Sequence, residues 1–318
     1  MLPAVAIATG DPSGIGPEIS LKAALDPKAR EMCRPILVGD RGALEVHAKA
    51  CGLSLDGIEL IERDQFKDQP LRIGQIAAAH GRAALDSAKA AIEAALSERV
   101  QAVVAAPHNE TAIHQAGIEF DGYPSFVAKC TGLPPEDGIL MLCFRHELRE
   151  VRIAHVTLHT SVARALKLIT AERVARTVSE VAVTLRKLGV QKPRIAVSGL
   201  NPHAGEGGLF GDEESRILQP ALEKCRDLNL DIEGPIGADL LLQKKGFDAY
   251  VVMLHDQGHI PAKLLAPQRT AGMTIGTPVI FSSVAHGSAH DIAGKNQAKH
   301  GAMLEAIARV TGNSGTEP

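Results

Sequence analysis

The sequence contains no tryptophan, and aromatic residues make up only 3% of its 318 positions. Serial stacking platforms for nucleic-acid bases are therefore excluded. Charge of one sign is also missing: Lys and Arg nearly balance Asp and Glu, leaving a net charge of −3 and no basic run to hold a polyanion. The five cysteines (Cys33, Cys51, Cys130, Cys143, Cys225) are scattered and odd in number, with no C-x-x-C pair. That excludes a disulfide framework and a thiolate metal site, and fits reduced thiols. No apolar run approaches the roughly 20 residues of a membrane span, and no basic stretch precedes an apolar one at the start. The expectation is a cytoplasmic protein with no nucleic-acid or membrane partner. What is present is ordinary globular composition, 45% hydrophobic and 22% charged, in a chain long enough for two α/β layers or for two lobes around one cleft.

Apolar runs of strand type recur at 35–40, 100–107, 138–144, 151–158, 193–200, 248–256 and 278–284, after an opening VAIA. Segments 76–96 and 171–189 have helical periodicity, the second closing on Gly189. Alternating strands and helices predict an α/β fold with a largely parallel sheet covered on both faces. Ligands in such folds collect at the carboxyl ends of strands. Those ends read GDPSG, PHNETAIH, TLHTS, GLNPHAGEGG, MLHDQGH and VAHGSAHD, and five of the six carry histidine.

The stretch ATGDPSGIGPE, residues 8–18, joins a strand to a helix through three glycines. Its spacing, G-x-x-x-G-x-G, is neither the dinucleotide fingerprint nor a P-loop, and no Lys-Ser/Thr pair follows Gly16. On the residues alone, a phosphate cradle and a tight strand-to-helix turn both stand open. Among 13 histidines, His159, His203 and His255 each sit at a strand exit, so that three strands could bring three imidazoles to one point. Three neutral imidazoles with an open position suit a catalytic divalent ion, Zn²⁺ first, with Fe, Co, Mn or Mg as alternatives. No H-E-x-x-H pattern exists, so metalloprotease chemistry has no support.

GLNPHAGEGG followed by DEES, HDQG with Lys263 eight residues beyond its histidine, GDPSGIGPE and PHNETAIHQAGI together resemble the blocks of the 4-hydroxythreonine-4-phosphate dehydrogenase family, over nearly the whole chain. The resemblance implies two α/β/α lobes with a cleft between them, as in isocitrate and isopropylmalate dehydrogenases. One lobe is expected to comprise 1–125 plus 266–318, the other 126–265. It further implies a homodimer whose active sites are shared, with His159, His203 and His255 binding the metal at the interface. HGSAHDIAGKN (286–296) is similar to the segment with which isopropylmalate-type dehydrogenases hold the adenosine of NAD. His286, Gly287, Ser288, Ala289, Asp291, Gly294 and Asn296 are the implied NAD contacts, while the opening loop shapes the cleft floor. Gly287 and Gly294 permit close backbone approach, and Asp291 can accept from a ribose or adenine donor.

Enzymes of that family with phosphorylated substrates carry a GHTEF-like stretch, where this chain has GYPSF with Tyr123, Pro124 and Ser125. Their phosphate-binding Asn and Arg are replaced by Gly272 and Phe281, and the lysine after Asn109 by Glu110. A phosphomonoester needs charge-assisted donors, so these changes point to a flat, largely apolar substrate, with the Phe281 ring expected to face it. The same combination resembles the family branch that acts on a terephthalate cis-dihydrodiol, 1,2-dihydroxy-3,5-cyclohexadiene-1,4-dicarboxylate, giving protocatechuate, CO2 and NADH. Asn109, Tyr123, Ser125, Arg269, Gly272 and Phe281 are the candidate substrate contacts. Lys263 and Asp256 are the candidate acid–base groups; Lys263 or Arg269 could instead pair with a substrate carboxylate, and Asp256 could orient a metal histidine. The alternatives are the family's activity on 4-phosphohydroxy-L-threonine, a metal-dependent hydrolase, and a non-catalytic binding module.

Overall fold

The computed structural model describes residues 2–66, 71–147, 149–266 and 270–313. Its strands are β1 (Ala4–Ala8), β2 (Arg34–Asp40), β3 (Glu59–Arg63), β4 (Ala102–Ala105), β5 (Ile139–His146), β6 (Arg149–His155), β7 (Arg194–Ser198), β8 (Asp231–Ile236), β9 (Ala249–Val252), β10 (Ala271–Ile275) and β11 (Phe281–Val284). The chain divides into two compact units, residues 1–138 with 277–318, and residues 139–276. The expected boundaries at 125/126 and 265/266 are thereby corrected. The helix Tyr123–Cys130 packs on the helix Ala78–Leu96 of the first unit, and β10 pairs with β5 of the second.

In the first unit the strand order is β3-β2-β1-β4-β11, all parallel. β1 and β4 are buried along their whole length, which is why they read as unbroken apolar runs rather than alternating ones. The alanine-rich helix Ala78–Leu96 covers β1 and β2, and its small side chains let it lie close. The helix Gly301–Val310 packs against β4 and β11. The core between the sheet and the Ala78–Leu96 helix holds Ala6, Ala8, Val38, Val103, Tyr123 and Phe281.

The second unit runs β10-β5-β6-β9-β7-β8. β10, β5 and β6 pair antiparallel, and β6, β9, β7 and β8 pair parallel, so this sheet is mixed where the pattern predicted a largely parallel one. The helix Ala171–Lys187 starts on Thr170, whose side chain accepts from the Arg173 amide, and lies against β6 and β9. Among the described residues no helix is long and apolar enough to cross a membrane.

Candidate active site

β6 ends at His155 and β9 at Val252, and the chemistry of the second unit begins just past these ends. His255 does not close a strand as expected; it opens the helix His255–Leu265. The reason is Gln257, whose Oε1 accepts from the amides of Met253 and Leu254 at 2.9 and 3.0 Å and so ends the strand. The Gln257 side-chain amide donates to Gly199 O at 3.1 Å, tying the HDQG turn to the GLNPH turn. His159 and His255 come together, with ring centroids 5.8 Å apart. His255 Nδ1 lies 2.7 Å from Asp256 Oδ1, which fixes the tautomer and leaves Nε2 as the free lone pair. Two imidazoles so arranged fit one divalent ion.

His203 does not join them. No set of three His, Cys, Asp or Glu residues that could hold a metal forms among the described residues. His203 instead lies in a left-handed turn running from His203 to Gly207, with φ of 52° at His203, 52° at Ala204 and 43° at Glu206. Left-handed backbone costs about 1 kcal/mol or more for each non-glycine residue and persists only where its surroundings impose it. The surroundings here are Glu214, buried on the following helical turn. Its Oε1 accepts from the amides of Leu200 and Asn201 at 2.8 and 2.7 Å, and its Oε2 from the Asn201 side chain at 2.9 Å. Burial opposes its ionisation, but these donors outweigh burial and hold the carboxyl below the usual carboxylate range.

Two further histidines, which the strand-exit criterion missed, stand behind His255. His259 stacks on it, and His155 leans against His259. Burial and the neighbouring imidazoles push His259 down to about 4 and His155 down to about 3, so both are neutral at pH 7. The signal for His259 was its four-residue spacing from His255 on one helix face; His155, the last residue of β6, is buried and lies within the apolar run 151–158, so it reads as core. Lys263 continues the His255–His259 face and is exposed.

In the first unit the opening loop is not a phosphate cradle. Its amides are already used: Asp11 N donates to Pro107 O, Ser13 N to Asp11 Oδ1, Gly14 N to Asp11 O, and Ile15 N to Ser288 O. Glu18 in the first helical turn is fully buried and paired with Lys22, which places a carboxylate where an anion would bind. The loop serves instead as the floor beneath the 286–296 segment. His290 Nε2 meets Asp11 Oδ2 at 2.8 Å, and a Cβ on Gly14 would fall 2.6 Å from both Ser288 Cβ and Ser288 O. Gly14→Ala is therefore expected to cost about 1–3 kcal/mol through overpacking, measured as a lower urea midpoint. Along the segment, His286, Gly287, Asp291 and Asn296 are exposed, and Ala289 and Gly294 half-buried. Ser288 is buried, and its hydroxyl has no hydrogen-bond partner. An exposed polar rim around an orphaned hydroxyl fits a polar ligand such as the adenosine half of NAD.

The candidate substrate contacts fall in both units. Asn109 caps the helix Glu110–Gln115, its Oδ1 accepting from Ala112 N at 2.8 Å. Ser125 is buried and bonds to Asp121 and to Gly122 O. Gly272 lies in β10 opposite Leu142 in the second unit, and Arg269 lies outside the described residues. Phe281 corrects the expectation of a ring facing substrate: it is 0% exposed. It packs against Tyr123 at 4.9 Å between ring centroids, because its strand position points to the core side with Val103 and Ala105. Tyr123 is buried as well, which pushes its phenol up, and half-buried His108, Phe120 and Phe126, each packed on Tyr123, carry this aromatic cluster outward.

The family described as "Pyridoxal phosphate biosynthetic protein PdxA" matches residues 31–310. The chain belongs to the PdxA family. One PdxA relative, the 1,2-dihydroxy-3,5-cyclohexadiene-1,4-dicarboxylate dehydrogenase of Comamonas sp, is 45% identical over 98% of both chains. A terephthalate 1,2-cis-dihydrodiol dehydrogenase structure from Burkholderia xenovorans LB400 matches with a TM-score of 0.76 and 41% identity over 98% of both chains. A 4-hydroxythreonine-4-phosphate dehydrogenase structure from Burkholderia phymatum matches with a TM-score of 0.83 and 35% identity, again over 98% of both. PdxA relatives are named dehydrogenases, and this chain is an oxidoreductase of that family. Its α/β fold also resembles that of a β-decarboxylating dehydrogenase from Thermococcus kodakarensis, with a TM-score of 0.51 at 16% identity.

 

That last likeness, covering 97% of this chain and 82% of the Thermococcus chain, shows the fold alone.

Proposed function

We propose that this chain is a metal- and NAD-dependent dehydrogenase that converts 1,2-dihydroxy-3,5-cyclohexadiene-1,4-dicarboxylate to protocatechuate, CO2 and NADH. The observation that carries the metal part is the His159–His255 pair, with Asp256 at the Nδ1 edge of His255. The substrate follows from the relative at 45% identity and from the positions that the resemblance assigns to phosphate, where Gly272 and Phe281 offer no cationic side chain. When bound, the metal supplies a Lewis acid for the alcohol oxygen, and NAD supplies the hydride acceptor. The chain's own residues do the rest. Asp256 holds His255 in one tautomer rather than moving a proton. Lys263 Nζ takes the proton of the secondary alcohol and returns it to the same oxygen once the ring is aromatic. The ketone formed lies β to the ring carboxylate, so the bond to that carboxylate breaks with its electrons passing to the ketone oxygen.

In this reading the third histidine of the set comes from a second copy of the chain, since His159 and His255 meet and no third His, Cys, Asp or Glu joins them among the described residues. The same unit exposes Val162, Leu166, Leu209, Phe210, Ile260 and Leu264, apolar side chains that a second copy would cover. Mixing His203→Ala with His255→Ala protein, each inactive alone, is expected to restore about a quarter of wild-type activity, since half the random dimers carry one intact site. A fully active monomer by light scattering contradicts the shared site. The test of function is turnover of the dihydrodiol beside 4-phosphohydroxy-L-threonine, each with NAD and Zn²⁺, followed at the NADH absorbance band. Preference for the phosphorylated substrate would overturn the assignment; product formed without NADH would point to a hydrolase.

A further inference from the structure

Behind the His255 ring lies a wall that neither the proposed mechanism nor the family resemblance uses. His259 sits one helical turn beyond His255, and their rings are stacked, 3.7 Å between centroids and 8° from parallel. His259 Nδ1 lies 3.2 Å from His255 O, so Nδ1 carries the hydrogen and donates to that carbonyl. The far side of His259 meets the His155 ring at 4.8 Å, and His155 Nδ1 is in turn held 3.3 Å from Leu140 O on β5. His155 reaches this place only because residue 258 is glycine: a Cβ there would fall 2.3 Å from His155 Nε2. The His259 ring is thus pinned from its own helix on one side and from the sheet on the other.

We infer that His259 is a positioning residue, whose flat face fixes the plane of the His255 imidazole and so aims His255 Nε2 for metal binding. Asp256 holds the same ring by its edge, at Nδ1. An edge contact leaves the ring free to swing about the bond to Cβ; the face contact removes that swing. Ordering a side chain before the ligand arrives lowers the entropy cost of binding, and outer contacts of metal histidines are commonly worth tenfold or more in affinity. The inference rests on the metal reading of the His159–His255 pair.

Zinc affinity of the metal-stripped full-length protein, measured by competition with a chromophoric chelator, tests it without relying on turnover. His259→Ala is expected to bind Zn²⁺ about tenfold more weakly than wild type, and His259→Phe, which keeps a flat face, within about threefold of it. His259→Gln replaces the Ala variant should the latter fail to fold, with thermal melting run on each. An Ala or Gln variant that binds zinc like wild type overturns the inference. So does a Phe variant as weak as Ala, because the nitrogen and not the face would then be in use. Wild-type protein that binds no zinc removes the metal reading and the inference with it, an outcome distinct from either.

Discussion

His255→Ala protein is expected to lose about a thousandfold or more in kcat/KM and most of its bound zinc, since fewer imidazoles hold the ion far more weakly. The side chain is held at its edge by Asp256 and lies beside His159, so the substitution removes one of the two imidazoles of the pair. His159→Ala should match it. Asp256→Asn should fall well short of that loss, about ten- to a hundredfold, because it weakens the orientation of a ligand and leaves the ligand in place. Zinc content by elemental analysis, read beside steady-state rates, separates the two classes. Full zinc occupancy in the His255→Ala preparation would end the assignment of the pair as a metal site. An Asp256→Asn loss as large as that of His255→Ala would return Asp256 to direct proton transfer.

Much of this arrangement is legible in the sequence, and the exceptions have physical causes. Each apolar run read as a strand overlaps one in the structure, because strands buried on both faces need unbroken apolar residues. β3 and β8 escaped notice because each pairs on one side only; Glu59, Glu62 and Arg63 on β3 face solvent or ion pairs, and β8 contains Gly234 and Pro235. β10 escaped because Gly272 breaks a run of only five residues, whose strand form comes from pairing with β5. The histidine motifs marked the right turns, but spacing along the chain carries no distance between turns. It could not show that His159 meets His255 while His203 lies in a separate left-handed turn and pairs with Glu206. Nor could it show direction: Phe281 was assigned from its place in a motif, and the side of the sheet it occupies is set by the register of β11 against β4.

That last difference changes the outcome of a substitution. Had Phe281 lined a substrate pocket, Phe281→Arg would act on substrate choice and leave the fold intact. With the ring fully buried against Tyr123 and Val103, the guanidinium enters a core whose described members are apolar side chains. Removing the ring alone costs about 3–5 kcal/mol, and an unpaired buried charge adds several more. Against a total stability of roughly 5–15 kcal/mol, Phe281→Arg is expected to be largely unfolded or recovered as aggregate. Phe281→Leu keeps the apolar volume and should cost less than about 2 kcal/mol, remaining folded with dihydrodiol turnover within a fewfold of wild type. Urea unfolding of both variants, followed by circular dichroism, reads the contrast. A Phe281→Arg protein that unfolds at the wild-type midpoint and gains affinity for phosphorylated hydroxythreonine would return the residue to the substrate site.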